Sequence, residues 1–146
     1  SEKYTTKLRD AAAKYSNKLA IHLAFDEHIA RQIYASCDFF LMPSHFEPCG
    51  LGQMISMRYG TAPIVYRTGG LADTVIPFDV NSGKGNGLMF AEYTTKGLAS
   101  VLKTAIDLYQ NKKAMDVLIK NGFKEDFSWD KSAQEYKKLY ECVLSD

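Results

Sequence analysis

The sequence predicts an α/β fold with a doubly wound parallel sheet. Short apolar runs of strand length alternate along the chain with segments whose apolar residues recur at helical spacing. This alternation is typical of parallel sheets that carry helices on both faces. Glycine-bearing turns at 43–52 and 67–70 follow two of the apolar runs. Since ligands of such sheets bind beyond the carboxyl ends of the strands, we expect both turns to lie on one functional rim.

Four apolar runs predict the strands, and they span residues 18–25, 38–44, 61–67 and 87–93. The second run, a continuous apolar stretch stopped by Pro43, is predicted to be buried on both faces of the sheet. The polar, glycine-rich stretch 77–87 is predicted to be a connection, and its segment 83–87, "GKGNG", to be solvated.

Helices are predicted on either side of these runs. The helical segments span residues 2–16, 26–37, 51–59, 68–75, 95–109, 112–120 and 128–144. Asp26 and Ser128 are expected to be N-caps, and Gly60 to end the third helix. The last segment has an apolar stripe at helical spacing, formed by Ala133, Tyr136, Leu139, Tyr140 and Val143.

The composition is that of an ordinary globular domain and excludes several classes of function. The 146 residues suffice for one domain, with 46% apolar and 24% charged residues. A net charge of +1 with scattered lysines gives no basic surface for nucleic acid or an anionic membrane. No apolar run approaches the roughly 20 residues that span a bilayer. Cys37, Cys49 and Cys142 have neither a disulfide-framework nor a metal-site spacing, so we expect a protein of the reducing cytoplasm.

The two glycine turns can bring the backbone close to an anion or a sugar. A helix that starts near Leu51 presents unpaired N–H groups and the positive end of its dipole. Gly50 and Gly52 remove the side chains that would keep a phosphate or an oxygen-rich sugar away. Gly69 and Gly70 can act in the same way. The alternative is that each glycine merely permits a tight turn between strand and helix.

The side chains near these turns have functional and structural interpretations. Glu47 would repel a phosphate, so it is expected to face sugar hydroxyls or a developing positive charge; otherwise it is a helix-capping or surface carboxylate. Cys49 could have a lowered thiol pKa at a helix N-terminus, but packing against a ligand is the favoured interpretation. His45 could line the site. Phe25, at a strand end, is either a core residue or a cover for a flat ring.

Residues 39–75 contain three motifs, "PSHFEPCGL", "RYGT" and "TGGLADTV". With these motifs the sequence resembles the C-terminal domain of bacterial glycogen synthases and plant starch synthases, which are retaining glucosyltransferases of the GT-B fold. The flanking "DEHIARQIYASCDFFLMPS" and "DFSWDKSAQEYKKLY" agree, so the resemblance covers nearly the whole chain. It implies a three-layer Rossmann-like doubly wound parallel sheet, the C-terminal domain of a GT-B fold, incomplete at its N-terminus. Residues 1–146 would be the sugar-nucleotide-binding donor domain, without the N-terminal acceptor domain.

The resemblance also implies an activity and a set of site residues. A whole enzyme of this kind transfers glucose from a sugar nucleotide, usually ADP-glucose, to the non-reducing end of an α-1,4-glucan with retention, and needs no metal or other cofactor. Glu47 matches the active-site glutamate that contacts the donor glucose, and Phe25 matches an aromatic position that stacks on the base. Gly52 stands where a threonine often touches the diphosphate, so only its backbone could serve. The turns that bind the glucose and line the donor site match Cys49, Gly50, Leu51, Thr68, Gly69 and Gly70.

Two departures from the family pattern bear on the function. Ile55 stands where many retaining GT-B enzymes carry a second glutamate, a replacement common in the glycogen and starch synthase branch. The arginine and lysine that neutralise the leaving diphosphate have no counterpart in this sequence, so the chain alone is expected not to turn over. Two alternatives stay open: a non-catalytic nucleotide- or glucan-binding module, and a related GT-B glycosyltransferase with another donor. The sequence does not distinguish ADP-glucose from UDP-glucose.

Overall fold

The computed structural model describes residues 2–144, in which helices and strands alternate along much of the chain. The elements are α1 (Glu2–Lys14), α2 (Glu27–Ser36), β1 (Phe39–Met42), α3 (Gly52–Arg58), β2 (Ala62–Tyr66), α4 (Gly69–Thr74), β3 (Leu88–Phe90), α5 (Thr95–Gln110), α6 (Lys112–Lys124) and α7 (Trp129–Leu144). The chain divides into two units, Ser1–Arg31 and Gln32–Asp146, and the strands all belong to the second.

The first unit holds α1 and the start of α2. Asp26 caps α2 as predicted, since the N–H of Ile29 donates to Asp26 Oδ1 at 3.0 Å. The prediction of a strand at 18–25 is wrong, because these residues form no strand. Their composition is that of a strand, but none of the described strands pairs with them. An extended segment needs a neighbouring strand to satisfy its backbone hydrogen bonds.

In the second unit, the three strands form one parallel sheet in the order β1-β2-β3. The pairing of β1 with β2 begins with Phe39 opposite Ala62, and that of β2 with β3 begins with Ile64 opposite Leu88. The strands predicted within 38–44, 61–67 and 87–93 are therefore confirmed. Because the strands are parallel, their carboxyl ends meet at one edge of the sheet, and the turns after β1 and β2 both start there.

Two apolar cores, one on each face of the sheet, form the three layers that the sequence predicts. On one face, Ile64 packs with residues of α5 and α6, among them the buried Leu118. On the other face, Val65 packs with Met57 of α3 and Leu71 of α4. Neighbouring side chains of β2 point to opposite faces of the sheet, so a single apolar strand supplies both cores.

β1 is less buried than predicted. Phe39, Phe40 and Met42 are half-buried and Leu41 is exposed, whereas β2 is buried over its first four residues. The apolar run predicts a strand covered on both faces, but β1 lies at the edge of the described sheet. A run of apolar residues does not distinguish an edge strand from a central one, because the position in a sheet depends on distant parts of the chain.

The three C-terminal helices form where the sequence predicts them. The side chains of Thr94 and Asn111 cap α5 and α6, and Ser128 caps α7 by accepting a hydrogen bond from the N–H of Lys131 at 3.3 Å. α6 continues to Lys124, beyond the predicted end at 120. The predicted apolar stripe of α7 does not form a core, since no described residue of this helix is buried. Helical spacing identifies an apolar face but not what covers it.

Within the glycine-rich stretch 77–87, the segment 83–87 is anchored to the protein rather than solvated as predicted. Asn86 is only 1% exposed, and its carboxamide is hydrogen-bonded through both oxygen and nitrogen. Asn121 Nδ2 donates to the carbonyl oxygens of Gly83 and Gly85, both at 2.8 Å. Side-chain amides thus supply the hydrogen bonds that the backbone of this loop does not make within a sheet.

Asp79 orders the tip of this loop and gives a pH-dependent test of its structure. Hydrogen bonds from the Ser82 hydroxyl and from the N–H of Asn81 lower the pKa of the Asp79 carboxyl below 3.8, its ordinary value. The stabilisation by the carboxylate is therefore present above pH 3.8 and is lost as the pH falls through the lowered pKa. We expect the carboxyl chemical shift of Asp79 to titrate with a midpoint below 3.8. A midpoint at or above that value contradicts the loop geometry; Asp79→Asn, which cannot titrate, is the control.

Candidate functional site

The two glycine turns lie directly against each other at the carboxyl edge of the sheet. The N–H of Gly70 donates to the carbonyl oxygens of Glu47 and Pro48, at 3.1 Å each. A Cβ on Gly70 would lie 2.1 Å from the carbonyl oxygen of Cys49, and one on Gly69 would lie 2.2 Å from that of Glu47. Only glycine permits two backbones to approach this closely. The expectation that the two turns share one rim is confirmed.

Glu47 lies at the junction of the turns, and its carboxylate is unpaired. The residue is half-buried, and its Cγ would be 3.1 Å from a Cβ on Gly50, whose φ of +70° favours glycine. α3 begins without a side-chain cap, so the helix-capping interpretation of Glu47 is wrong. Within residues 2–144 the carboxylate has no hydrogen bond or ion pair. A half-buried carboxylate without an internal partner is available to a ligand.

The first turn leads directly into α3, which begins at Gly52, one position after the predicted start. The Cys49 thiol is exposed, and the Leu51 side chain is 66% exposed at the N-cap position. Gly52 is half-buried, and a Cβ on it would lie 3.0 Å from Cε1 of Phe40. Since the first N–H groups of a helix have no intrahelical partner, the backbone of this turn keeps donors available.

The second turn contributes mainly backbone to the rim. Thr68 is the N-cap residue of α4, and its hydroxyl makes no capping hydrogen bond. Gly69 is exposed, with a φ of +39°. Gly70 is buried and its N–H is already engaged by the first turn. Thr68 and Gly69 therefore remain available for contact with a ligand at the rim, whereas Gly70 packs closely against the first turn.

Phe25 belongs to the first unit of the chain, and its ring is 95% exposed. The core interpretation of this residue is therefore wrong. The faces of an exposed ring are open to stacking, so the contact with a nucleotide base stays a prediction.

His45 belongs to an aromatic group at the carboxyl ends of the strands. Its ring centroid lies 4.7 Å from that of Tyr93 and 6.5 Å from that of Tyr66. The hydroxyl of Tyr93 donates to the carbonyl oxygen of Pro43 at 3.0 Å, which fixes the ring. His45 thus has a packing role beside the first turn, and its part in lining the site stays a prediction.

Gln53 and Thr74 connect the two turns inside the protein, although neither is among the predicted site residues. Gln53 is 0% exposed, and its Nε2 donates to the carbonyl oxygen of Gly50 and to Thr74 Oγ1, both at 3.0 Å. The Thr74 hydroxyl in turn donates to the carbonyl oxygen of Gly70 at 2.6 Å. The signal that could have identified Gln53 is a long amide on the core-facing side of a helix, because a buried amide requires partners.

The described residues contain no group of three or more His, Cys, Asp or Glu side chains placed to hold a metal ion. Nor does any helix within 2–144 combine the length and apolar character needed to cross a membrane. The thiols of Cys37, Cys49 and Cys142 are free and exposed.

The family described as Glycosyl transferases group 1 matches residues 1–125, a range that includes both turns. The chain belongs to the group 1 glycosyl transferases. Its curated relatives include the glycogen synthase of Thermosipho melanesiensis, 48% identical over 145 residues, covering 99% of this chain and 30% of the relative. The glycogen synthase of Fervidobacterium nodosum is 50% identical over 144 residues, with the same shares covered. The chain thus spans about 30% of the length of these curated relatives.

Solved structures agree with the fold of this glycosyl transferase. The catalytic domain of Starch Synthase IV from Arabidopsis thaliana, bound to ADP and acarbose, is 34% identical, with a TM-score of 0.80 over 97% of this chain and 30% of that one. Sucrose-phosphate synthase from Thermosynechococcus elongatus is 23% identical, with a TM-score of 0.67 over 96% of this chain and 34% of that one, and supports the fold alone. The predicted GT-B fold class and the resemblance to glycogen and starch synthases are confirmed.

The rim of this glycosyl transferase combines a free carboxylate with a closely packed pair of backbone turns. A carboxylate can hold sugar hydroxyls and stabilise a positive charge that develops at the reacting carbon. Backbone N–H groups can hold the oxygens of a phosphate, as at other helix starts. The two functions are separate, because Glu47 would repel the phosphate that the N–H groups attract.

Proposed function

We propose that this chain is the donor-binding domain of a glycogen or starch synthase. The whole enzyme transfers glucose from ADP-glucose to the non-reducing end of an α-1,4-glucan with retention of configuration. The observation that carries the proposal is the Glu47 carboxylate, which has no partner among the described residues and lies at the junction of the two glycine turns. The 48–50% identity with glycogen synthases and the ADP bound to the starch synthase relative support the choice of reaction and donor.

In this proposal the donor lies across the rim. Glu47 contacts the glucose, and the backbone of residues 49–51 binds the same sugar. Gly52 offers only its backbone to the diphosphate, and the turn at 68–70 borders the donor from the other side. The ring of Phe25, in the first unit, is 95% exposed, so its faces are open to stacking on a base.

The chemistry requires charge stabilisation rather than a protein nucleophile. As the bond from the anomeric carbon to the diphosphate breaks, positive charge develops on the sugar and negative charge on the leaving phosphate. Glu47 stabilises the sugar, while backbone N–H groups and basic side chains of the whole enzyme hold the phosphate. The glucan hydroxyl attacks from the face that the phosphate leaves, and the phosphate accepts its proton. We assign no metal ion or other cofactor to this step.

The activity is assigned to the whole enzyme, because the chain spans about 30% of the length of its curated relatives. The partners of this domain are the sugar nucleotide, the α-1,4-glucan and an N-terminal domain of the same protein that binds the acceptor. We expect the chain alone to contact nucleotide without turnover. We place the reaction in the cytoplasm, where three free, exposed thiols stay reduced.

Titration of the chain with ADP and with UDP tests the donor site. We expect ADP to move the backbone amide signals of residues 49–52 and 68–69 in NMR spectra. Gly83 and Gly85 serve as reference signals, because their loop precedes β3 and so lies at the opposite edge of the sheet.

Three other results would contradict the proposal. A response to UDP alone points to a related glycosyltransferase with another donor. If ADP shifts these signals but the whole protein transfers no glucose, the chain is a non-catalytic binding module. If neither nucleotide moves these signals while the chain is folded, the donor site is misplaced.

A further inference from the structure

The carboxamide of Gln53 occupies the space that a side chain on Gly50 would fill. A Cβ on Gly50 would lie 2.7 Å from Gln53 Oε1 and 3.1 Å from Glu47 Cγ. The backbone of Gly50 is therefore enclosed between the buried amide and the side chain of Glu47. Gln53 Nε2 also lies 3.3 Å from the carbonyl oxygen of Cys49, so one amide group contacts two consecutive peptides of the first turn.

Thr74 extends this contact to the second turn. Its hydroxyl accepts from Gln53 Nε2 at 3.0 Å and donates to the carbonyl oxygen of Gly70 at 2.6 Å. Since the N–H of Gly70 bonds the carbonyl oxygen of Glu47, the hydrogen bonds connect the two turns along two routes. One route runs directly between backbones, and the other runs through the Gln53–Thr74 pair.

The stability of the fold does not explain this arrangement by itself. Gln53 Oε1 is buried and has no hydrogen-bond partner in the described part of the chain. A buried acceptor without a partner is unfavourable, and an apolar side chain of similar shape would avoid that loss. The amide nitrogen, by contrast, bonds the first turn and Thr74, and these are its only partners within residues 2–144. The bonds that Gln53 does make thus all serve the position of the turns.

We propose that Gln53 is a positioning residue, which acts with Thr74 to hold the two glycine turns in register and so fixes the backbone that carries Glu47. The effect on the turns stands on the geometry alone. The effect on catalysis rests on the proposed function of the chain.

Amide hydrogen exchange of Gly70 measures the register of the turns directly, because its N–H bonds Glu47 and Pro48. Gln53→Met keeps the length of the side chain and removes the donors, while Thr74→Val removes the hydroxyl. In both variants we expect Gly70 to exchange faster, on the order of tenfold. The N–H of Arg67, which bonds Phe90 across the sheet, is expected to keep its rate.

Asn121→Leu is the matched control, since Asn121 also donates its amide hydrogens to two carbonyl oxygens of a glycine loop. This variant should accelerate exchange at Gly83, whose N–H bonds Asp79, and leave Gly70 unchanged. Thr74→Ser keeps the hydroxyl that Thr74→Val removes, so in this variant Gly70 should exchange as slowly as in the unmodified chain. If Gln53→Met and Thr74→Val lower the unfolding midpoint but leave the exchange rate of Gly70 as it is in the unmodified chain, the role of Gln53 is merely structural and the proposal is overturned.

Kinetics of the whole enzyme separate positioning from the proposed reaction. With ADP-glucose and glycogen, Gln53→Met should lower kcat on the order of tenfold with the protein still folded, because a small displacement of a reacting group is sufficient for such a loss. Thr74→Ser should recover most of it. An unchanged kcat alongside faster exchange at Gly70 contradicts a catalytic consequence, whereas no transfer by the unmodified enzyme refutes the proposed function and leaves the exchange result standing.

Discussion

Replacement of Glu47 by glutamine is expected to lower kcat for glucosyl transfer by the whole enzyme about a thousandfold. Glutamine keeps the shape of the side chain and its contact with Gly50, but removes the negative charge. In the proposed reaction that charge faces a sugar that becomes positive in the transition state, within a half-buried environment where water screens it poorly. Steady-state kinetics with ADP-glucose and glycogen measure the loss.

The structure supplies two controls for this experiment. Since the Glu47 carboxylate has no partner within residues 2–144, Glu47→Gln should leave the unfolding midpoint unchanged, which separates catalysis from stability. Glu92→Gln removes an exposed carboxylate near the end of β3 and should leave kcat unchanged. A nearly unaltered kcat in the Glu47→Gln enzyme would show that the charge of Glu47 has no catalytic role. That result would favour a role in which Glu47 only orients the donor.

Gly70→Ala is expected to destabilise the chain by about 3 kcal/mol and to separate the two turns. The new Cβ would lie 2.1 Å from the carbonyl oxygen of Cys49 and 2.7 Å from its Cα. Both are backbone atoms, so no side chain can move aside, and the turns must part. That movement breaks the hydrogen bonds that Gly70 donates to Glu47 and Pro48. Chemical denaturation of the purified chain gives the change in unfolding free energy.

Gly52→Ala is the matched variant, because it adds the same methyl group to the other turn. Its nearest neighbours would be side-chain atoms, Phe40 Cε1 at 3.0 Å and Met42 Sδ at 3.3 Å, which can adjust. Alanine is also favoured over glycine in a helix by about 1 kcal/mol, which offsets part of the crowding. We expect a change within about 1 kcal/mol. Equal destabilisation by both variants would contradict the close backbone contact at Gly70.

The parts of the fold that local patterns determine could be predicted from the sequence. The helices at 95–109 and 128–144 and the strand within 61–67 follow from apolar spacing, which depends only on nearby residues. The run at 18–25 has the same local character, but it forms no strand and none of the described strands pairs with it. The exposure of Leu41 in β1 likewise depends on its place at the edge of the described sheet.

The candidate site divides in the same way. Glu47 and the glycines of both turns could be identified because short-range turn chemistry marks them, and the structure brings them together. Gln53 and Thr74 could not, since the bond between them joins positions 21 apart and depends on how two helices pack. The exposure of the apolar stripe of α7 could not be predicted either, because helical spacing does not indicate which distant residues pack against a helix.

The contact of Gly70 with Glu47 also has a consequence for affinity. Two loops that moved independently would each lose conformational entropy when a ligand ordered them, and that loss would weaken binding. Here the hydrogen bonds between the turns restrict both of them before any ligand arrives. A ligand that binds at these turns would therefore meet a preorganised surface, and more of its interaction free energy would be retained as affinity.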